Sequence, residues 1–330
     1  MEYLPELLYT PFFGTAAWVW LVFAGVVVTL LAFDLGVLHK DDRAISIKES
    51  MLLSIGYISI SLLFGAWVWW HLGAQSGTEY FTGFLIENSL SIDNVFVIAL
   101  IFSYFAIPRQ YQHRVLYWGI LGVIVLRAIM IGLGAALISK FDWILYVFGA
   151  FLVLTGIKMW VLASHMPDLA DNPLLKLLRR HMRVTPRVEG NAFFVSRPDP
   201  ATGKSVRWAT PLFLALCMVE MMDLVFAVDS VPAVFAITSD PFIVYTSNIF
   251  AILGLRALYF ALAAMIHRFT YLKYALALIL VFIGAKIFLV GIIGKIAPSI
   301  SLLVTFGLIA GGIIVSLWKT RNTPVATALP

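Results

Sequence analysis

The sequence predicts an all-α polytopic membrane protein of about nine transmembrane helices containing an inverted repeat of two three-helix units. Three observations point there. Of 330 residues, 61% are hydrophobic and 12% charged, with a mean hydropathy of +0.94, whereas a soluble domain is about a quarter charged. Apolar stretches of about 20 residues, the length that crosses a bilayer as a helix, recur nine times. Finally, Lys and Arg collect on alternate loops, the asymmetry that sets membrane orientation.

The spans lie near 15–38, 47–71, 80–104, 113–139, 141–163, 209–237, 243–265, 272–294 and 299–318. Pro108-Arg109, Asp240-Pro241 and Ala297-Pro298 mark breaks between them. The N-terminus carries Glu2 and Glu6 in place of a basic region, and the first span is too long for a signal-peptide core, so no secretory signal is expected.

Seventeen of the 23 Lys and Arg fall on one side. These are Lys40, Arg43, Lys48, Arg109, Arg114, eight residues within 164–208, Arg268, Lys273, Lys319 and Arg321. Lys140 and Lys295 face the other side, and Arg127, Lys158, Arg256 and Lys286 lie within spans. This predicts a multi-pass protein of a bacterial inner membrane, N-terminus periplasmic and C-terminus cytoplasmic. The net charge of +5 thus marks topology and not nucleic-acid binding. A single cysteine, Cys217, excludes an intramolecular disulfide and a CxxC pair.

The longest loop, 164–208, is then cytoplasmic. Asn172-Pro173 forms an N-cap and first helical residue, starting a short basic amphipathic helix over Leu174–Met182 expected to rest on anionic lipid. Phe193–Ser196 and Ser205–Trp208 flank a turn-rich stretch and predict a hairpin. A regulatory role, a protein partner or homo-oligomer contacts are the alternatives for this segment.

Landmarks recur in order along the chain. Glu87-x5-Asp93-Asn94 matches Asp223-x5-Asp229-Ser230; Arg127 matches Arg256; Thr155-Gly156-Ile157-Lys158 matches Ile283-Gly284-Ala285-Lys286. Repeat A spans 80–163 and repeat B spans 209–294, with peripheral helices at 15–71 and 299–318. Three spans repeated in tandem enter the membrane from opposite sides, the inverted topology common among secondary transporters.

Eight ionisable groups sit deep in these spans: Glu87, Asp93, Glu220, Asp223, Asp229, Arg127, Arg256 and Lys286. Each costs roughly 2.5–3.5 kcal/mol at the bilayer centre on insertion scales, so they must pair, protonate or bind an ion. Arg127, Arg256 and Lys286 are assigned to structural ion pairs. Candidate cation ligands are Glu87, Asp93, Asn94, Glu220, Asp223, Asp229 and Ser230. Residues six apart on a helix point about 120° away from each other, so the acids of each motif converge only if the helix unwinds or the repeats face each other. Pro232 offers such a break near Asp229. Oxygen donors of this kind suit Mn²⁺, Mg²⁺ or Ca²⁺. All six His lie at span ends or in loops, and Met218, Met221 and Met222 are a softer option beside the acids. Asp34 and Glu49 either line an entry vestibule or face Lys40 and Lys48.

Three segments carry a family resemblance: Glu87-Asn-Ser-Leu-Ser-Ile-Asp93-Asn94-Val-Phe, Glu220-Met-Met-Asp223-Leu-Val-Phe-Ala-Val-Asp229-Ser230-Val-Pro232, and Thr246-Ser-Asn248-Ile-Phe-Ala-Ile-Leu-Gly254-Leu-Arg256. With them the chain resembles the TerC family of integral membrane proteins, in particular its Alx-like bacterial members, from about Phe33 to the last span. The resemblance implies export of Mn²⁺ through Glu87, Asp93, Glu220, Asp223 and Asp229, and a link to tellurite resistance. The Alx-like group also carries a redox-modulator label. Met221 and Met222 depart from the apolar or aromatic residues usual at those positions.

The expected function is therefore a membrane transporter of a divalent cation, Mn²⁺ leaving the cytoplasm with protons as a candidate counter-ion, and not an enzyme; no cofactor is expected. The alternatives are a membrane-bound redox or stress modulator, or an assembly factor acting through 164–208.

Overall fold

A computed structural model describes residues 8–34, 44–141, 143–161, 172–198, 204–263, 271–294 and 296–320, excepting the side chains of Asp93, Gly291, Ile292 and Ile293. A two-residue hairpin, β1 (Pro11–Phe12) with β2 (Thr15–Ala16), leads into helix α1 (Ala17–Phe33). Then follow α2 (Ile47–Leu72), α3 (Ala74–Tyr104), α4 (Arg109–Lys140) and α5 (Ile144–Val161). After the short helix α6 (Pro173–His181) and the strands β3 (Phe194–Pro198) and β4 (Ser205–Ala209) come α7 (Pro211–Phe235), α8 (Pro241–Ala263), α9 (Leu272–Ile293) and α10 (Pro298–Lys319). Among the described residues eight helices are long and apolar enough to cross a membrane, and α1 is a shorter apolar helix.

These helices fall where the nine apolar stretches predict them. The largest shift is at α3, which begins six residues before the expected start at 80. It opens at Gly73, whose φ of 98° is open to glycine and strained for other residues. From there it runs unbroken through Gln75, Thr78 and Glu79, whose polarity hides this first turn from a hydropathy reading. Pro232 lies in the last turn of α7, and the helix ends only at Phe235.

α8 is the central helix: 83% of its most apolar window is buried within the protein, against 17% for α5. α5 packs against α9, α3 against α8 and α7, and α4 against α7 and α8. A two-fold axis exchanging α3 with α7, α4 with α8 and α5 with α9 requires this set, because it turns α3–α8 into α4–α7 and maps the other pairs onto themselves. Small residues repeat the pattern at the α5–α9 crossing. A Cβ on Gly284 would sit 2.6 Å from the Gly149 carbonyl oxygen, and one on Gly156 would sit 2.7 Å from that of Ala277. Gly156 and Gly284 are equivalent in the sequence alignment of the repeats. Their missing side chains let the two backbones touch, the close packing that helices use in lipid.

The expected helix and hairpin of the long loop are both present. Asn172 Oδ1 accepts from the Leu174 and Leu175 amides and caps α6, while β3 and β4 pair antiparallel from Phe194↔Ala209 to Pro198↔Ser205. Part of the apolar face of α6 packs onto the bundle. Leu175 is 1% exposed and packs with Ile101, Phe102, Leu212 and Leu214, flanked by Leu174 and Leu178. Leu175 is thus covered by the bundle, while Leu177, 54% exposed, and the last-turn Arg179, Arg180 and His181 stay at the surface. Lys40, Arg43, Arg268, Lys295 and Arg321, and residues 35–38 of the expected first span, lie outside the described residues.

Candidate intramembrane ion site

Each repeat holds one internal ion pair at its matched landmarks. In repeat A, Arg127 Nη1 of α4 lies 3.0 Å from Glu87 Oε1 of α3, with both side chains 1% exposed. In repeat B, Arg256 Nη2 of α8 lies 2.9 Å from Asp223 Oδ2 of α7, again buried. Both arginines, assigned from the sequence to ion pairs, thus stand within salt-bridge distance of a buried carboxylate. Taking two charges out of water costs several kcal/mol per ion, and extra hydrogen bonds offset part of that. Arg127 Nη1 donates to Ser230 Oγ at 2.7 Å, and Asn248 Nδ2 donates to Glu87 Oε2 at 2.8 Å. Arg256 also donates to the Leu116 carbonyl. Ser230 and Asn248 both belong to repeat B, so the Glu87–Arg127 pair ties the two repeats together.

Glu220 is arranged differently. Both of its carboxylate oxygens are buried without a hydrogen-bond partner among the described residues. Space for it comes from α4: a Cβ on Gly122 would fall 2.6 Å from Glu220 Oε1, and one on Gly119 would fall 3.1 Å from the same oxygen. The amide oxygens of Asn94 and Asn248 are likewise buried and unpartnered. Among the described residues these four oxygens have no hydrogen-bond donor, although the Arg256 guanidinium is near enough to act on Glu220 electrostatically. Asp229 is half-buried and accepts from Thr155 Oγ1 at 3.2 Å, apart from the Asp223 pair.

The acids do not meet in one cluster. Among the described residues no three His, Cys, Asp or Glu side chains converge on a metal position. The reason is the one the helical period gives: α3 and α7 stay helical through their motifs, so positions 87 and 93, like 223 and 229, lie about 120° apart. The Asp93 side chain lies outside the described part. Met218 is fully buried and Met221 and Met222 pack at the same apolar cluster, which is a packing role.

Lys286 departs from the expected ion pair. Its Nζ donates to Ser301 Oγ of α10 at 2.9 Å, with Glu79 near enough to act on it electrostatically. Glu79, buried on α3, was not singled out from the sequence because it sits in the polar opening segment of the helix, before the predicted span. Glu79 also acts on Asp240, in the loop before α8, whose carboxyl burial raises above the usual range against the opposing hydrogen bonds from the Phe242 and Ile243 amides. Asn248 and Thr155 were likewise missed as site residues although both stand in matched segments. Asn94 and Ser230 drew notice by adjoining Asp93 and Asp229, whereas Asn248 and Thr155 adjoin no acid in the sequence.

Helices of membrane length and charged pairs in the interior define a polytopic integral membrane protein. The chain belongs to the TerC family of integral membrane proteins, whose profile matches residues 72–324. A Rickettsia bellii protein named "Uncharacterized membrane protein" is 49% identical over 298 residues, 90% of this chain and 96% of that one. The Escherichia coli K12 protein named "Putative membrane-bound redox modulator Alx" is 47% identical over 308 residues, 91% of this chain and 94% of that one. A Myxococcus xanthus membrane protein is 45% identical over 309 residues, 94% and 95% of the two chains. No solved structure matches.

Proposed function

We propose that this protein is a cation transporter that moves Mn²⁺ out of the cytoplasm in exchange for protons, through acids at the interface of the two repeats. It acts in the bacterial inner membrane with its N-terminus periplasmic and its C-terminus cytoplasmic, an orientation that the Lys and Arg distribution supports. One observation carries the reading: both carboxylate oxygens of the half-buried Glu220 are shielded and, among the described residues, without a hydrogen-bond partner, as are the amide oxygens of Asn94 and Asn248. A purely structural network has no use for surplus acceptors, because each costs about 1–3 kcal/mol when left unmade. A carboxylate that alternately takes a proton or a cation does use them. Oxygen donors fit a hard divalent ion, and the choice of Mn²⁺ comes from the family resemblance.

In this mechanism Arg127 and Arg256 hold Glu87 and Asp223 in place and keep the repeats in register. Glu220, Asp229 and Asp93 exchange between H⁺ and metal. The α5–α9 crossing, backbone against backbone at Gly149 and Gly284, is the pivot about which the units rock to expose the acids to either side. Equilibrium Mn²⁺ binding tests the site. Electron paramagnetic resonance of free Mn²⁺ is expected to report uptake by the wild type in detergent and at least tenfold weaker uptake by Glu220→Gln. Equal binding by a folded Glu220→Gln variant would remove Glu220 from the site.

A further inference from the structure

A second group of charges gathers where α3, α8 and α10 begin and α9 nears its end, apart from the acids of the proposed site. Glu79 of α3 and Lys286 of α9 are each 7% exposed. Lys286 Nζ donates to Ser301 Oγ of α10 at 2.9 Å, and Gln75 Nε2, one turn before Glu79, donates to Glu79 Oε1 at 2.9 Å. Glu79 is near enough to act electrostatically on Lys286 and on Asp240, the half-buried acid just before α8. Thr305 lies one turn along α10 from Ser301 and so on the same face; its hydroxyl is fully buried and has no partner among the described residues. Exposed Gln75 and half-buried Asp240 thus stand at the surface, with Glu79 and Lys286 beneath them. The other titratable groups on the helices around Glu79 are engaged elsewhere. Tyr80 donates to the Ser61 carbonyl, Tyr245 of α8 to the Ile124 carbonyl, His71 of α2 stacks on Trp67, and Asp229 of α7 accepts from Thr155.

Two carboxylates and one ammonium leave one negative charge over, and a buried charge without compensation is costly. A divalent cation does not suit that surplus, because the tethered ammonium of Lys286 repels it; a proton does. Burial already holds the Asp240 carboxyl above the usual carboxylate range. We infer that Glu79, Asp240 and Lys286 form a proton-loading site, in which one proton from the adjoining solvent neutralises the carboxylate that the single ammonium leaves uncompensated. In the orientation proposed above this end faces the periplasm, the side from which protons enter in exchange for outgoing Mn²⁺. Glu79 stands on the first helix of repeat A, whereas Asp240 and Lys286 belong to repeat B. A proton taken up here therefore weakens an attraction between the repeats, and only such a differential contact lets a ligand shift their relative position. The other end of the molecule has no equivalent: with Glu87 aligned on Asp223, Glu79 falls on Ala215, and Lys158, the counterpart of Lys286, is exposed. This inference rests on the transport function proposed above and adds the place where the counter-ion is taken up.

Two measurements test it. The first needs no transported metal: infrared difference spectra of the protein in nanodiscs follow the band of protonated carboxyl groups as pH is raised. The part of that band lost in Glu79→Gln or Asp240→Asn is the signal of this site. Lys286→Gln is expected to move its midpoint upward by at least about one pH unit, the effect of losing a nearby opposite charge. Lys286→Arg, which keeps the charge, leaves the midpoint in place. A band that both acid variants retain in full, or a midpoint that Lys286→Gln does not move, overturns the site. The second measurement follows Mn²⁺ movement in liposomes that hold the protein in one orientation, with pH varied on one side at a time. Glu79→Gln is expected to flatten the response to pH on the periplasmic face at least tenfold and to keep the response on the cytoplasmic face. Lys286→Gln shifts the periplasmic response upward by about one pH unit. A wild-type response to periplasmic pH in both variants overturns the loading site and spares the transporter. If the wild type moves no Mn²⁺, the transport function falls, and the infrared titration alone then supports or overturns proton binding by the cluster.

Discussion

Removing the charge of Arg256 should unbalance repeat B by an amount the geometry bounds. Arg256 Nη2 stands 2.9 Å from Asp223 Oδ2, with side chains 5% and 9% exposed. At that separation and an effective dielectric near 20 the attraction is on the order of 5 kcal/mol. Breaking a buried pair by deleting one partner costs about 3–5 kcal/mol. Arg256→Gln keeps an amide that can still donate to Asp223 or to the Leu116 carbonyl, recovering about 1 kcal/mol. The expected loss is therefore about 2–4 kcal/mol. Adding Asp223→Asn removes the stranded charge, so the double variant should be more stable than Arg256→Gln alone, with a coupling energy of about 2 kcal/mol or more. Equilibrium unfolding in mixed micelles measures each corner of the cycle. The matching cycle with Arg127→Gln and Glu87→Gln should give coupling of the same sign and similar size, since the two pairs occupy equivalent places. Additive effects in either cycle would refute the claim that these arginines hold the carboxylates.

Other substitutions probe the remaining elements. Gly284→Leu forces a side chain into the Gly149 carbonyl and should cost at least the ~1–3 kcal/mol of ordinary overpacking, whereas Gly311→Ala, with nothing within 4 Å, should be neutral in the same unfolding assay. Gly122→Val displaces the Glu220 carboxylate and should weaken Mn²⁺ binding at least tenfold with a smaller effect on stability than Gly284→Leu. Leu175→Asp buries a charge under α6 and should render the segment 172–210 protease-sensitive while the spans stay protected. Asp240 has its carboxyl raised chiefly by burial. Its folded form therefore holds a proton more readily than its unfolded form, and stability should rise as pH falls from the raised value toward about 4. Asp240→Asn should abolish that segment of the pH–stability curve, and an unchanged curve would assign the dependence to another group.

Much of this was legible in the sequence because a bilayer imposes strong rules. Span positions follow from the length of apolar runs, so α2, α9 and α10 match their expected limits within a residue or so. The capping chemistry of Asn172-Pro173 marks α6 without help from the bundle. The pairing of Arg127 and Arg256 follows from the cost of a lone charge in lipid. What stayed hidden depends on direction. No local signal says that Leu175 of α6 turns onto the apolar cluster with Leu212 and Leu214. Nor could the period say whether α3 unwinds between Glu87 and Asp93; its continuity keeps the acids apart. A cavity that Asp34 and Arg256 both line joins residues more than two hundred positions apart, so no local signal could announce it. Asn248 stands in a quoted motif, yet its bond to Glu87 appears only when α8 is laid against α3.

The most direct test of the account is metal flux by the purified protein in liposomes, with and without a pH gradient, beside Asp93→Asn, Glu220→Gln and Asp229→Asn. The account predicts Mn²⁺ movement by the wild type that a pH gradient drives and that each variant loses. Absence of flux for any divalent ion, in protein shown to be folded, would contradict it and shift attention to the segment 172–210 and a protein partner.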